Sequence, residues 1–504
     1  MLVVPFENHS KAPGLSWISD SFPELLQQRL DSPSLYLLSR EDRLRAYDRL
    51  GIPVELHPSR ATIYRIAEQL DVDYVVLGDY SFDGRIFTAT AQLLDMRAQH
   101  LLPGVTESAP LLQLIDAETS LAWNLMHQLF PASTPARDTF VSKAPPVRLD
   151  AFEHYVKGTV APANQDQIQH FQEAVKLNPA YAEALLQLGK AYYRQRQYAQ
   201  AVSTLSSINA DDPLAREANF YIGLAACSQG EFQRAEAAFS LVAARLPLTE
   251  IYNNLGVVAD HRDRKAAADY FQKAISADPN DGDYHFNLAV ALYHSGDTAG
   301  AVRQLQEAVS LKPGDGEAKS FLSGLTADGG SEARGLVPAS LKVPSLRLRS
   351  NYDESSFRQL SLKLAAAAEQ RLAKSDARVH AQFHVDRGHQ LLNQGFVTEA
   401  GPEFREAATL DPSNAGAHSG LAAVLEASGN ADSARSEAKQ AMGLRPSAEP
   451  LLVLARLDLR DNRVETAAEE IDQALRLEPN NAAAQALKRS VAAKLAQKAQ
   501  PLPN

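Results

Sequence analysis

The sequence of 504 residues predicts a mainly α fold, in which a small α+β domain precedes an α-solenoid of helical hairpins. Beyond residue 148, each stretch between recurring prolines contains two short patterns with apolar residues three or four positions apart, as in amphipathic helices. Residues 1–140 lack this repeat and alternate between strand-like and helical patterns, which predicts the separate α+β domain. A fixed period made of two helices is typical of a solenoid, whose units bury their apolar faces only against their neighbours.

The recurring prolines mark the ends of the repeats, because proline cannot continue a helix and pushes the preceding residue out of helical geometry. Subtracting residue numbers gives spacings of 34, 34, 32 and 34 in a first series, and of 34 and 33 in a second. The first series is Pro179, Pro213, Pro247, Pro279 and Pro313, and the second is Pro412, Pro446 and Pro479.

Within each repeat, small and large residues take set positions. Leu188 and Gly189 lie in a first helix, and Ala201 is followed four positions later by Leu205 in the second helix. Small residues are needed where two helices nearly touch, and large ones fill the space between turns. The small residues at these positions in other repeats are Gly223, Gly256, Ala235 and Ala301.

These residues resemble the tetratricopeptide repeat, a helix-turn-helix module, over roughly residues 148–326 and 378–499. The resemblance implies a groove lined by the first helices that holds an extended or helical peptide.

Glycines and prolines between the repeats indicate the connecting segments. We predict five segments: an α+β domain at 1–138, a linker at 139–147, a first array at 148–326, a linker or insertion at 327–350, and an irregular helix with a second array and a carboxy-terminal cap at 351–500.

The amino-terminal domain is predicted to hold four strands under helices, in the order β-α-β-α-α-β-β-α. The last two strands flank Asp83-Gly84, a strong hairpin signal. The four expected strands are Leu2–Phe6, Ser34–Leu38, Tyr74–Phe82 and Arg85–Leu94.

Three stretches of this domain resemble the TolB-type amino-terminal domain found ahead of tetratricopeptide arrays in bacterial proteins. They are Val4–Asn8, Asp73–Gly78 and Thr90–Asp95. The resemblance brings no catalytic residues. It implies an interaction or sensing role.

Charge and hydropathy bound the class of partner. The net charge is −11 and the pI is about 5.7, which argue against a nucleic-acid partner. No apolar run is long enough to span a membrane, so membrane insertion is not expected.

The chain as written opens without an export segment, which predicts a cytoplasmic protein, or a periplasmic or cell-envelope one if such a segment lies upstream. The sequence makes no prediction of oligomeric state.

No phosphate-binding glycine loop, paired-cysteine zinc pattern or nucleophile elbow is present, so we expect a non-enzymatic protein without cofactors or metal. His380 and His384 are four residues apart and could share a helix face, with His389 nearby. They lack a glutamate in the metalloprotease position, and a metal site needs a third ligand and supporting partners. We therefore interpret them as polar surface with one half-buried imidazole.

Four aspartates near strand ends and a turn are better explained by turn and capping chemistry than by catalysis. They are Asp71, Asp73, Asp79 and Asp83. The single cysteine, Cys227, is expected to act as a small apolar residue in a repeat helix.

The better functional candidate is the groove. Asn254 and Asn287 take the same position in successive repeats, just before the leucine of the small-residue pair. A stacked pair of amides can clamp a peptide backbone, because each amide both donates and accepts. Further candidates are Lys190, Tyr193, Arg194, His261, Tyr293 and His294. The basic set that would bind a peptide carboxylate is incomplete, so recognition of a peptide's carboxyl end is not expected.

These observations predict a non-enzymatic scaffold that binds a partner protein or peptide in the groove. The alternative is a regulatory or sensor protein, whose amino-terminal domain binds a ligand or envelope component and couples to the repeats. The alternative for the candidate residues is that they have no binding role and are solvated residues of the groove.

Overall fold

The structure of the protein is a computed structural model. It describes residues 1–30, 35–53, 58–131, 134, 136–142, 146–262, 264–326, 343–354, 357, 367–372, 375–393 and 397–498. Residues 1–31 and 35–357 form one compact unit, and the remaining residues form a second. The predicted fold class is confirmed, since helical hairpins follow a small α+β domain. Among the helices described, none is both long and apolar enough to span a bilayer.

A six-stranded sheet forms the centre of the amino-terminal domain. Its strands are β1 Leu2–Val3, β2 Glu7–Asn8, β3 Tyr74–Phe82, β4 Ile86–Asp95, β5 His100–Leu101 and β6 Val105–Pro110. β1 and β2 pair in parallel with β3, and β3 and β4 form the predicted antiparallel hairpin with Phe82 opposite Phe87. β5 and β6 pair antiparallel with β4.

Three details of the predicted sheet are wrong. The expected strand Leu2–Phe6 is a strand only at Leu2–Val3, because Pro5 has no N–H and the Phe6 N–H donates to the Ser19 carbonyl, and the chain then forms the separate strand β2. The strands β5 and β6 were not expected, because the sequence of β6, Val105–Pro110, is polar and short and has no apolar alternation. The expected strand at 34–38 forms only an isolated bridge at Leu35 in its described part, and residues 31–34 lie outside the described residues. Hydrogen bonds join that segment to Met1, since the Leu38 N–H donates to the Met1 carbonyl at 3.0 Å and the Met1 amino group donates to the Tyr36 carbonyl at 2.8 Å.

Helices cover this sheet and close an aromatic core. The covering helices are α1 Ile18–Leu30, α2 Arg40–Leu50, α3 Arg60–Gln69 and α4 Leu114–Leu129, the last preceded by a short 3-10 turn. The Phe6 and Phe22 rings stack with centroids 3.8 Å apart. Gly78 on β3 faces the Phe6 ring so closely that a Cβ there would collide with it. The sheet position therefore requires glycine.

The first array is a series of helices in which each packs on the next along the chain. The helices of this unit are α5 Arg137–Ser142, α6 Leu149–Val160, α7 Asn164–Leu177, α8 Ala182–Arg194, α9 Tyr198–Leu205, α10 Ala215–Ser228, α11 Phe232–Ala243, α12 Thr249–Arg262, α13 Arg264–Ala277, α14 Gly282–His294, α15 Thr298–Leu311 and α16 Gly316–Thr326. The helix α5 overlaps the range 139–147 expected as a linker. The division into five segments stays a prediction.

The second unit repeats the hairpin pattern. Its helices are α17 Ala377–Asn393, α18 Val397–Leu410, α19 Ala415–Ala427, α20 Ala431–Leu444, α21 Ala448–Arg460, α22 Val464–Leu477 and α23 Ala482–Lys498. Residues 367–372 are also helical. Most of the irregular helix expected at the start of the segment 351–500 falls outside the described residues.

Close contacts between a small residue and a large one hold each hairpin together. Gly189 faces Leu205, and a Cβ added at Gly223 or Gly256 would lie 2.6 Å from a ring carbon of Phe239 or Phe271. The alanines of the second helices have no exposed surface; they are Ala201, Ala235 and Ala301. These contacts bring paired helices close enough to exclude water along the seam.

The first repeat uses the same contact. Its first helix, α6, continues through Val160 although the stretch Gly158–Pro162 contains a glycine and a proline. A Cβ at Gly158 would lie 2.6 Å from the ring of Phe171 on α7. Gly158 is therefore the small residue of this repeat, in the place that Gly189 takes in the next.

Two buried carboxyl groups lie in the amino-terminal domain, and one of them contacts the first repeat. The Tyr155 hydroxyl on α6 donates to Glu24 on α1 at 2.9 Å, and the Ser21 hydroxyl donates to Glu118 on α4. Burial raises the pKa of Glu24 to about 7 and the pKa of Glu118 to about 8. The folded domain therefore holds protons that the unfolded chain releases near the ordinary carboxyl pKa.

We expect Gly256→Leu to destabilise the first array, because the added side chain has no space beside Phe271. Overpacking of this kind costs about 1–3 kcal/mol of the free energy of unfolding. Thermal unfolding followed by far-ultraviolet circular dichroism measures it. The control is Gly443→Leu, since a Cβ at Gly443 meets nothing within 4 Å. An unchanged melting temperature in Gly256→Leu would contradict the packing described.

The stability of the amino-terminal domain is expected to fall as the pH rises through the range of about 5 to 8, because the folded pKa values of Glu24 and Glu118 lie above the unfolded value. The stabilisation is complete below the unfolded pKa and is lost as the pH passes the folded ones. Both tryptophans, Trp17 and Trp123, lie in this domain, so fluorescence follows its unfolding. The variant Glu24→Gln/Glu118→Gln should show a smaller pH dependence than the wild type, and equal pH dependence would disprove the assignment.

Candidate peptide-binding groove

A segment of the chain itself lies against the first helices of the first array. Residues 343–354 have no helix or strand of their own, apart from a helical residue at 354, and make contacts with α10, α12, α14 and the residues around α16. We call residues 343–354 the bound segment, and the surface of these helices that contacts it the groove. The bound segment falls partly in the range 327–350 that the sequence predicted as a linker or insertion.

Two asparagines clamp the backbone of the bound segment. The Asn254 side-chain oxygen accepts from Arg349 N–H at 2.8 Å, and its nitrogen donates to the Arg349 carbonyl at 2.9 Å. Asn287 makes the same pair of bonds to Arg347, both at 2.8 Å. The two amides act as a neighbouring β-strand would, pairing with residues two apart on an extended chain.

A third asparagine supports this clamp. The Asn253 nitrogen donates to the Arg347 carbonyl at 2.9 Å, and its oxygen accepts from the Asn287 nitrogen at 2.7 Å. Asn253, Asn254 and Asn287 have no exposed surface, so each amide depends on these partners. Asn253 was not among the predicted groove residues, although the pair Asn253-Asn254 was visible in the sequence.

The side chain of Arg347 enters an acidic recess. Its guanidinium lies 3.6 Å from the centroid of the Phe286 ring. It also donates to Asp283 at 2.7 Å, to Asp315 at 2.5 Å and to Glu317 at 2.9 Å. Burial lowers the pKa of Arg347, but the hydrogen bonds to Asp315, Glu317 and Asp283 outweigh it and raise that pKa above its ordinary value. The recess therefore selects a planar cation.

Arg349 makes comparable contacts two residues further along the bound segment. Its guanidinium lies 4.9 Å from the centroid of the Tyr284 ring, forms an ion pair with Asp281 and lies 3.0 Å from Asp283. Leu348, between the two arginines, is exposed. This alternation is that of an extended strand, in which every second side chain faces the same surface.

Apolar and charged contacts fix both ends of the bound segment. Leu346 packs among the apolar residues of α14 and α16 at one end. Towards the other end the Tyr352 ring lies 5.4 Å from the Phe220 ring on α10. Glu354 pairs there with Arg216 at 3.0 Å. The occupant of the groove is therefore an extended segment with the pattern apolar-Arg-x-Arg-x-x-Tyr, followed by an acidic residue.

The groove is acidic at its centre, the reverse of a carboxylate clamp. Asp281 and Asp283 stand two and four residues after Pro279, and Asp315 and Glu317 stand two and four residues after Pro313. This repeated placement of acidic residues is the signal that sequence reasoning missed. It suits arginine side chains and disfavours a peptide carboxylate.

The other candidates of the sequence lie elsewhere on the array. Lys190 pairs with Glu217 at 2.7 Å, and the ring of Tyr193 packs against Tyr221. Arg194 donates to Gln167 at 3.1 Å. Lys190 and Arg194 thus contact neighbouring helices, whereas Tyr193 packs against the apolar cluster around Phe220 that also receives Tyr352 of the bound segment.

Three further candidates belong to later first helices. The His261 ring stacks on Phe232 with centroids 4.1 Å apart, and His294 lies 2.8 Å from the Asp260 carboxylate. Tyr293 belongs to the apolar cluster that receives Leu346. The structure thus brings Asn254 and Asn287 to the bound segment, together with the apolar clusters of Tyr193 and Tyr293. The two histidines contact neighbouring helices.

Family models of the tetratricopeptide repeat match residues 165–221, 258–316 and 385–449. No curated protein sequence was found to be significantly similar to the chain. The matched ranges fall in both arrays and include α14, which carries Asn287 of the clamp.

Solved structures of repeat proteins are similar in part. MamA from Desulfovibrio magneticus is 18% identical, with 34% of this chain and 99% of that chain covered and a TM-score of 0.32. YrrB, described as a TPR protein with an unusual peptide-binding site, is 15% identical, with 34% and 90% covered and a TM-score of 0.31. A tetratricopeptide repeat protein from Parabacteroides merdae is 11% identical, with 62% and 98% covered and a TM-score of 0.26. The family models establish that the helical hairpins of this chain include tetratricopeptide repeats.

Proposed function

We propose that the protein is a non-enzymatic interaction scaffold whose first array binds an extended, arginine-bearing segment of a partner protein. Tetratricopeptide repeat proteins generally mediate protein–protein interactions. The observation that carries the proposal is the paired hydrogen bonding of Asn254 and Asn287 to a peptide backbone. Because these bonds go to backbone atoms, the clamp accepts any extended chain, and the acidic recess supplies the preference for arginine.

The bound segment is then an internal competitor for the partner. A tethered segment has an effective concentration on the order of millimolar at its own binding site. A free peptide with the same contacts must exceed this concentration to displace it, unless it makes additional contacts. The partner therefore binds efficiently only when it offers a better match or when the bound segment is released.

The alternative of a ligand-binding amino-terminal domain stays a prediction, as do the likeness to the TolB-type domain, the bacterial origin and the compartment. The bond between Tyr155 and Glu24 gives such a domain a direct contact with the first repeat. No described contact identifies a ligand for it.

We predict that the full chain with Arg347→Glu/Arg349→Glu binds a labelled peptide with the sequence of residues 343–354 at least about tenfold more tightly than the wild type does. The reversed charges release the tethered copy from Asp283 and Asp315 and so remove the competition. Fluorescence anisotropy measures the affinity at fixed salt.

The matched control is Arg245→Glu/Arg303→Glu, which makes the same change of charge at exposed positions of the same array. It should bind the labelled peptide as weakly as the wild type does. We call Arg347→Glu/Arg349→Glu the released variant. If it binds the labelled peptide no more tightly than the wild type does, the bound segment does not occupy the groove. Equal binding of a peptide with glutamate at both arginine positions would contradict the acidic recess as its receptor.

In the released variant, adding Asn254→Ala/Asn287→Ala should weaken binding of the same peptide by at least about tenfold, since each lost hydrogen bond contributes about 0.5–1.5 kcal/mol. The control pair is Asn219→Ala/Asn280→Ala. Asn219 donates to a carbonyl of its own helix and Asn280 lies exposed in a turn. If the clamp substitutions leave the affinity unchanged, the peptide does not bind where the bound segment lies.

A further inference from the structure

A cluster of possible metal ligands lies in the second unit, apart from the groove. His380 and His384 are one helical turn apart on α17, and Glu369 lies in the helical residues 367–372. One donor atom from each of the three side chains lies within 4.8 Å of the others. Glu369 is the third ligand that the sequence did not reveal, because it precedes α17 in a stretch without the repeat pattern.

The hydrogen bonding of His384 fixes which of its nitrogens faces the cluster. Its Nδ1 lies 2.7 Å from the Glu403 carboxylate, which also forms an ion pair with Arg387 at 3.2 Å. Since an ionised carboxylate only accepts, Nδ1 carries the proton and Nε2 of the neutral ring presents a lone pair. Carboxylates in this position orient the histidine ligands of metal sites.

The opposite side of the cluster leaves two acceptors facing each other. The His384 Nε2 and the Glu369 Oε2 lie 3.6 Å apart, and both atoms are buried without a hydrogen-bond partner. The His384 side chain is only 9% exposed, so water does not readily satisfy it. The His380 Nε2 lies 2.8 Å from the other oxygen of Glu369. Buried acceptors without a donor are costly, so a proton or a cation is required between them.

We propose that His380, His384 and Glu369 bind a divalent transition metal of the zinc class. Two imidazoles and a carboxylate are ligands that Zn²⁺ prefers, and three protein ligands leave a fourth position for water. Tetrahedral bonds of about 2.0–2.2 Å place ligand atoms roughly 3.3 Å apart, so donor atoms that now lie within 4.8 Å of one another must close by up to about 1.5 Å. Glu369, whose side chain is 41% exposed, is the group free to move.

The metal would fasten residues 367–372 to the first helix of the second array. A proton competes with the metal for the position between the His384 Nε2 and Glu369, because the hydrogen bond to Glu403 raises the pKa of His384. His389 does not take part, since its Nδ1 lies 3.6 Å from Glu449, away from the three ligands. It provides an internal control on the same helix.

The test uses the full chain without an affinity tag, stripped of metal with a chelator and titrated with Zn²⁺ or Co²⁺ near neutral pH. Isothermal titration calorimetry should show one Zn²⁺ per chain, and Co²⁺ should give the intense visible absorption of a four-coordinate site. His384→Gln and Glu369→Gln should each weaken binding by at least about tenfold, and Glu403→Gln by about 10–100-fold. His389→Gln should bind as the wild type does.

Glu369→Gln keeps the test valid if a substitution at His384 disturbs folding, since Glu369 is partly exposed. Zn²⁺ should also raise the melting temperature of the wild type more than that of Glu369→Gln. Wild-type affinity no greater than that of Glu369→Gln, or an equal loss in His389→Gln, would overturn the metal site and leave a protonated His384 between two carboxylates as the explanation.

Discussion

The contact of a small residue with a large one at each hairpin is the constraint on which the rest of the first array depends. Gly223 against Phe239 and Gly256 against Phe271 let paired helices approach closely. Because this contact recurs in phase with the repeat, equivalent positions on successive first helices face the same way. Asn254 and Asn287 occupy such positions, and their amides meet residues two apart on an extended backbone. The repeated packing contact therefore places hydrogen-bonding side chains at regular intervals along the groove.

The charge of the groove then gives it a preference for arginine side chains. Backbone clamping by amides is indifferent to side chains, whereas stacking on Phe286 and Tyr284 among carboxylates favours arginine. Arg347 and Arg349 each retain 22% of their side-chain exposure, so their ion pairs are screened less than those on an open surface. The same set of contacts accounts for both the occupancy of the groove by the bound segment and the class of partner that would replace it.

Much of the fold follows from the sequence because it depends on local patterns. Apolar periodicity and recurring prolines predict the helices, and Asp83-Gly84 predicts the hairpin between β3 and β4. β6 was missed because a short polar strand carries no apolar alternation and is held by its pairing with β4. The role of Gly158 does not follow from its neighbours in sequence, because it depends on the contact with Phe171 on α7.

The sequence predicted the asparagines of the groove but not the segment that they bind. Asn254 and Asn287 stand out because they share a repeat position, but nothing local marks residues 343–354 as their occupant. An extended segment that pairs with side chains has no periodic signature, and its contact with Asn254 joins residues 95 positions apart. Glu369 escaped notice for a similar reason, since it meets His380 across a break in the repeat.

Hydrogen exchange at the amides of Arg347 and Arg349 tests the central claim most directly, because these two groups donate to Asn287 and Asn254. In the intact wild-type chain both amides should exchange slowly, and in Asn254→Ala/Asn287→Ala both should exchange at the rate of an open loop. Fast exchange at both amides in the wild type would show that the groove does not hold this segment.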